Sequence, residues 1–129
     1  MIDSATISKK LQKVDLSKTS NFLKGFFQPE EIRAAAVIMP LVCRADGWHI
    51  LFIRRTSHDN DMHSGQVAFP GGKHEEFDVD FKATALREFA EETGIDTNNL
   101  EIIGQLPNMT TVTKFCITPY IAFLSPDYN

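Results

Sequence analysis

Three glutamates, Glu88, Glu91 and Glu92, fall within five consecutive positions. At about 100° per residue, Glu88 and Glu92 are one helical turn apart and Glu91 lies beside them, so all three project from one side of a helix. Like charges so placed cost roughly 0.2–0.5 kcal/mol per close pair. The closing turns of a helix also disfavour negative charge. Local stability therefore does not account for the arrangement. Two readings do: a solvated acidic face, or a site for a hard divalent cation such as Mg²⁺ or Mn²⁺, which takes carboxylate and water oxygens.

The stretch that must position these side chains is residues 65–95. It opens with a short apolar run, Gln66-Val67-Ala68-Phe69, breaks at Pro70-Gly71-Gly72 and passes through an acidic loop. Helical periodicity sets in at about Asp80 and stops at Gly94, with Ala83, Leu86, Phe89 and Ala90 expected as the core stripe opposite the glutamates.

In this order, Gly72, Arg87-Glu88, Glu91-Glu92 and Gly94 resemble the Nudix box, G-x5-E-x7-R-E-U-x-E-E-x-G-U, with Phe89 and Ile95 in the apolar U slots. The chain is thereby identified as similar to Nudix hydrolases. It departs from the pattern by holding Asp78 at the first acidic position and by separating it from Arg87 by eight residues instead of seven. One added loop residue costs little closure entropy.

The flanks resemble the coenzyme A pyrophosphatase branch of that family. Leu51 and Arg55 fit the start of the motif that precedes the box there, Gly65 and Phe69 to Gly72 fit its end, and Thr111-Val112-Thr113 and Ile117-Thr118-Pro119 are similar further on. The middle departs: Thr56 fills a small-residue slot, and four residues lead from it to Asp61, where the branch has arginine. A carboxylate there would repel a substrate phosphate.

The resemblance implies hydrolysis of a diphosphate linkage in a nucleoside diphosphate linked to a moiety X. Coenzyme A or an acyl derivative is the leading substrate, and ADP-ribose or a nucleoside triphosphate the alternative. A binding module that keeps the fold without turnover is the reading from another class. The implied metal is Mg²⁺ or Mn²⁺, held by Glu88, Glu92, Glu91 and the Gly72 carbonyl. Catalytic roles fall to Glu91, Arg87, Glu88 and Glu92, with Arg87 expected to pair with a loop carboxylate and hold Glu88. Substrate contacts are expected from Arg55, Arg54, His63 and Gly71. For the arginines a solvated strand end, and for His63 loop packing, is the other reading.

Composition agrees with such a site. The 129 residues, 43% hydrophobic and 23% charged, describe one ordinary globular domain able to bury its own core. Residues 72–92 hold seven acids against three bases, and the rest of the chain holds ten of each, so this segment carries the whole net charge of −4. A concentrated acidic patch argues against a nucleic-acid surface, which needs a basic stripe. Cys43 and Cys116 lie in apolar runs without CxxC spacing and are expected as reduced core residues. No apolar run reaches 18 residues and the N-terminus lacks a signal-peptide layout, so a cytoplasmic enzyme with a small-molecule nucleotide partner and no membrane is expected.

The chain is expected to divide into an N-terminal helical segment, residues 1–28, and a core over residues 32–124. Residues 4–27 read as one or two amphipathic helices serving as a lid or as a phosphate-contacting arm. Ala34–Val42 reads as a buried strand, in which Pro40 implies an edge or a bulge. Ala45-Asp46-Gly47 is a turn, Trp48–Arg54 the paired strand, and residues 56–64 a polar loop holding His58 and His63. Leu100–Leu106, with a bulge at Gly104, and Lys114–Leu124 are further strands. Strands flanking one glutamate-bearing helix give an α+β class, an α/β/α sandwich on a mixed sheet, which is also the Nudix fold. Family members continue past this point with a strand and a helix, so the chain is expected to be a short member or a fragment, and an unpaired sheet edge would favour a homodimer.

Overall fold

The nearly unbroken apolar run Arg33–Arg44 forms strand β1 through the middle of the sheet in this computed structural model, which describes residues 1–17, 28–54 and 66–128. The other elements are helix α1 (Ser4–Gln12), β2 (Gly47–Ile50), β3 (Ile53–Arg54), β4 (Val67–Ala68), β5 (Gly71–Lys73), helix α2 (Phe81–Thr93), β6 (Leu100–Gln105), β7 (Met109–Thr110) and β8 (Phe115–Leu124). Among the described residues, β2, β1, β8 and β6 follow one another in a mixed sheet, with β5 also on β1 and β7 also on β8. Among the described strands only β1 and β8 run parallel; β3 and β4 form a separate two-stranded ribbon.

Alternation along the strands sorts side chains between two layers. Ala36, Ile38 and Val42 of β1 and Tyr120, Ala122 and Leu124 of β8 pack with Ala85 and Phe89 of α2. Ile38 lies opposite Tyr120, and the next pair, Met39 and Ile121, must face the other way. Gly104 pairs with Ile121 on that second face, and Leu11 of α1 packs over it. The two helices thus cover opposite faces of the mixed sheet, the expected sandwich. Trp48 stacks on Phe123 at 5.6 Å and donates its indole N–H to the Ile2 carbonyl at 2.7 Å, tying the N-terminus to the α1 face. Of the expected N-terminal helices, α1 covers Ser4–Gln12; residues 18–27 lie outside the described residues.

Pro40 is neither at an edge nor in a bulge. It is fully buried in β1, where the neighbour on one side changes from β5, paired through Val37, to β2, paired from Leu41. Ile38 N–H and the Pro40 carbonyl both point to that side, binding the Pro70 carbonyl and Leu51 N–H, so the N–H that proline lacks would have faced the gap between partners. The strand expected over Trp48–Arg54 breaks after Ile50: β2 stays on β1, and Ile53–Arg54 joins β4. The cysteines are free but not core residues. Cys43 is exposed near the end of β1, and Cys116 is half-buried near the start of β8.

Helix α2 has clear stops. The Asp80 side chain accepts from Ala83 N–H at 2.7 Å, and Gly94 closes the helix in the left-handed conformation, φ +73°. Its buried stripe differs from expectation: Thr84, Ala85 and Phe89 are buried, whereas Ala83 and Ala90 are only half-buried. Burial of Phe89 alone contributes about 1.5–3 kcal/mol. On the helical wheel Glu88 lies between Thr84 and Ala85, so the glutamates adjoin the buried stripe instead of opposing it. The bulge at Gly104 appears as expected, as a register shift between Ile102 and Gly104.

Candidate active site

Pro70-Gly71-Gly72 forms no simple break. Gly71–Lys73 is strand β5, whose register sets Gly71 opposite Val37, Gly72 opposite Ala36 and Lys73 opposite Ala35. This lays the two glycines beneath α2. A Cβ at Gly72 would lie 2.5 Å from the Glu88 carboxyl carbon, so the Glu88 carboxylate rests where any other residue would put its side chain. A Cβ at Gly71 would strike the Ala36 carbonyl oxygen and come within 2.6 Å of Val37 Cα. Gly71→Ala is therefore expected to cost about 1–3 kcal/mol of stability, by overpacking a backbone that cannot yield. Gly72→Ala meets only the end of a flexible side chain. It should melt closer to the parent while displacing Glu88; thermal melts and Mn²⁺ titrations of both variants check this.

Arg87 organises the acidic groups. Its Nε and Nη2 donate to the two oxygens of Asp78, each at 2.9 Å, and Nη1 donates to Glu88 Oε1 at 2.9 Å. Nη1 also reaches Glu91 at 3.4 Å, and Nη2 reaches the Lys73 carbonyl at 3.2 Å. All the guanidinium donors are engaged, and Phe77 stacks on its face at 5.0 Å. The sequence left the role of Asp78 open; it is the loop carboxylate that Arg87 was expected to find. Its side chain is 3% exposed and also accepts from Glu75 N–H and the Thr84 hydroxyl, each at 2.9 Å.

The electrostatics separate the two part-buried carboxyls. Arg87 holds Asp78 well below the usual carboxylate range, aided by the Glu75 N–H and the Thr84 hydroxyl and opposed by burial. Burial pushes Glu88 upward, against the pull of Arg87 and with the help of the Glu91 and Asp78 charges. Two carboxyls bonded to one guanidinium are thus driven in opposite directions.

The structure brings Glu88, Glu91, Arg87 and Gly72 together, and joins Glu92 to them by a hydrogen bond of 2.9 Å from Gly71 N–H to Glu92 Oε1. Among the described residues no three His, Cys, Asp or Glu side chains converge as a ready metal cage. Arg87 and Gly71 N–H instead neutralise the carboxylates that the sequence showed repelling one another. The donor set suits Mg²⁺ or Mn²⁺ all the same: it is all oxygen, and the ions keep several waters, so few side chains need converge. Glu88 also has its carboxylate pressed on bare glycine backbone. Arg54 is exposed and pairs with Val67 in the β3–β4 ribbon, just ahead of Gly71. Arg55, His63 and Asp61 lie outside the described residues. A cavity of about 420 Å³ lined by Leu41, Cys43, Trp48 and Phe123 lies on the α1 face, across the sheet from the glutamates.

Sequence reasoning missed Thr84 and His74. The Thr84 hydroxyl touches Asp78, and His74 Nδ1 lies 2.6 Å from Thr84 Oγ1, with Phe81 edge-on to the imidazole at 4.9 Å. Neither residue type announces such a role. The one available signal was position: Thr84 sits one turn before Glu88 on the acidic face.

Comparison with known proteins bears on the family and the fold. The family pattern described as NUDIX domain matches residues 18–125. An uncharacterized Nudix hydrolase NudL of Enterobacter sp. (strain 638) is 45% identical over 97 residues, covering 75% of this chain and 50% of that protein. The chain thus spans about half the length of that relative. Among solved structures, a C. elegans Ap4A hydrolase in a binary complex superposes with a TM-score of 0.60 at 20% identity, over 74% of this chain and 69% of that one. The NUDIX domain of Shewanella oneidensis NrtR complexed with ADP ribose also gives 0.60, at 18% identity, over 86% and 75%. At these identities the superpositions establish a shared fold.

Proposed function

The chain belongs to the NUDIX domain family, and on that footing we propose that it hydrolyses a diphosphate linkage in a nucleoside diphosphate-X substrate with the help of Mg²⁺ or Mn²⁺. The observation that carries this reading is the Arg87 hub, which holds Asp78, Glu88 and Glu91 in one network while Gly72 admits the Glu88 carboxylate. A solvated acidic face would need neither.

Glu88 and Glu92 would hold the metal, with Glu91 and the Gly72 carbonyl as further oxygens. When bound, the ion would neutralise the diphosphate and lower the pKa of a coordinated water. The chain's own residues supply the rest. Arg87 fixes Glu88 and offsets the charge of Glu91. Gly71 N–H orients Glu92 at 2.9 Å. Glu91 is the most exposed of Arg87's three carboxylate partners, at 58%, and so the one that a substrate water can reach. Few residues need be chemically unusual, because phosphoryl-type transfers rest on positioning and charge neutralisation.

Coenzyme A or an acyl derivative is the substrate favoured by the motif that runs into Phe69-Pro70-Gly71-Gly72 and by Ile117-Thr118-Pro119 downstream. Cleavage would give 3′,5′-ADP and 4′-phosphopantetheine. ADP-ribose, which the NrtR domain carries, and nucleoside triphosphates are the competitors, because Asp61 stands where the branch has arginine. The test is release of phosphate monoesters from coenzyme A, ADP-ribose, NADH and nucleoside triphosphates, each with excess Mg²⁺ or Mn²⁺. Preferential cleavage of coenzyme A upholds the substrate; preference for another member keeps the chemistry and replaces it.

A further inference from the structure

A line of hydrogen bonds runs from the protein surface to Glu88, and its first two members belong to no motif. His74 Nδ1 lies 2.6 Å from Thr84 Oγ1, Thr84 Oγ1 lies 2.9 Å from Asp78 Oδ2, Asp78 takes both Nη2 and Nε of Arg87, and Arg87 Nη1 meets Glu88 Oε1. Thr84 is fully buried, Asp78 almost so, and His74 is 27% exposed.

The direction of these bonds follows from proton bookkeeping. A threonine hydroxyl has one proton. Asp78, ionised beside Arg87, has none to give, so the Thr84 proton must point to Asp78; a lone pair facing the carboxylate would be repelled. The weaker contact of Thr84 Oγ1 with the Asp80 carbonyl, at 3.2 Å, competes for that proton at longer range and without charge. The Thr84 oxygen is then left to accept, and His74 must donate from Nδ1. This requires a proton on Nδ1 of the imidazole. His74 is itself anchored, its backbone N–H donating to the Ala34 carbonyl of β1 at 2.9 Å and its ring meeting Phe81.

We propose that His74 and Thr84 are positioning residues that set Glu88 through Asp78 and Arg87. Asp78 is one methylene shorter than the glutamate of the box, and a carboxylate on a loop can shift unless something other than Arg87 also fixes it. Glu75 N–H and the Thr84 hydroxyl do so from the loop and from the helix, and His74 ties that hydroxyl to the strand bearing the glycines. The bond pattern thereby couples β5, the acidic loop and α2. The inference rests on reading the site as a diphosphate-hydrolysing centre, and its test includes measurements that do not.

Thr84→Val keeps the shape and removes the hydroxyl; Thr84→Ser restores it. His74→Phe removes the donor; His74→Asn offers an N–H in place of Nδ1. Thr84→Val and His74→Phe are expected to lower kcat by about 10- to 100-fold with KM within about twofold, the loss typical of groups that orient metal ligands. The serine and asparagine variants should recover most of it. Mn²⁺ affinity, titrated on every variant without substrate, should fall and recover in parallel. Imidazole nitrogen shifts of the parent should report Nδ1–H for His74, and the Arg87 Nε–H should be protected from exchange in the parent and lose that protection in Thr84→Val. Parent-like Mn²⁺ affinity and Arg87 protection in folded Thr84→Val, or an Nε2–H imidazole in the parent, would overturn the proposal. Should the parent cleave nothing, the functional reading fails by itself, and Arg87 protection still decides the positioning role. Because Thr84 is buried, the His74 pair serves where Thr84→Val does not fold.

Discussion

Glu88→Gln is expected to abolish measurable metal-dependent turnover, a loss of at least about a hundredfold, while raising the melting temperature of the metal-free chain at neutral pH. The first half follows from charge: a neutral amide neither holds a hard cation well nor offsets its charge. The second half follows from the environment. Burial raises the Glu88 pKa, and the neighbouring Glu91 and Asp78 charges add to it, against the single bond from Arg87. A carboxyl whose folded pKa lies above its unfolded value, about 4.3, costs stability as pH rises through that interval. Glutamine keeps an oxygen for Arg87 Nη1 and removes the cost. Parallel melts at pH 4 and pH 7, without metal, check the sign: the variant's advantage should appear at pH 7 and shrink at pH 4. A destabilised Glu88→Gln at pH 7 would mean that the Arg87–Glu88 attraction outweighs burial.

Arg87→Ala should cut kcat by about 10- to 100-fold and destabilise the fold at neutral pH. The arginine answers three carboxylates and a carbonyl, and its removal leaves Asp78 ionised with its side chain 3% exposed. A buried charge stripped of its partner is strongly destabilising. The pH dependence runs opposite to that of Glu88. Asp78 is depressed in the folded state, so its contribution is present above the unfolded value of about 3.9 and lost as pH falls through the lower folded value. The parent should therefore lose stability below about pH 4. Arg87→Ala should start lower at pH 7 and fall less over the same range, because protonating Asp78 relieves the unpaired charge. Arg87→Lys should recover little, since one ammonium cannot serve Asp78 bidentately and reach Glu88 as well. Denaturation curves across pH 3 to 7 would expose the difference in slope.

The parts of this site legible in the sequence were those set by spacing along one element. The turn-by-turn placement of Glu88, Glu91 and Glu92, the helix start at about Asp80 and the stop at Gly94 all depend on helical period and local backbone chemistry, and all appear in α2. What the sequence did not show depends on partners far apart in the chain. Pro40 looked like an edge residue because the change of neighbours from β5 to β2 is a property of the sheet. The stripe centred on Ala83 and Ala90 was misplaced because Gly71 and Gly72 let α2 approach β5 closely enough to draw Glu88 toward the buried side. Asp78 looked like a defect in the box; its fit shows only once the loop has folded back onto Arg87. Thr84 reads as an indifferent helix residue until Asp78 and His74 flank it. Arg55, His63 and Asp61, on which the expectations about substrate choice rest, lie outside the described residues.

The parent chain and Glu92→Gln are each to be incubated with coenzyme A and excess Mg²⁺ or Mn²⁺, following phosphate-monoester formation with and without a chelator. The parent should yield 3′,5′-ADP and 4′-phosphopantetheine, the chelator should suppress both, and the variant should give no product above background. Glu92→Gln turning over at the parent rate would contradict the proposed chemistry, as would a folded parent that binds nucleotides and Mn²⁺ yet cleaves no member of the substrate panel; the second result would mark the chain as a nucleotide-binding module.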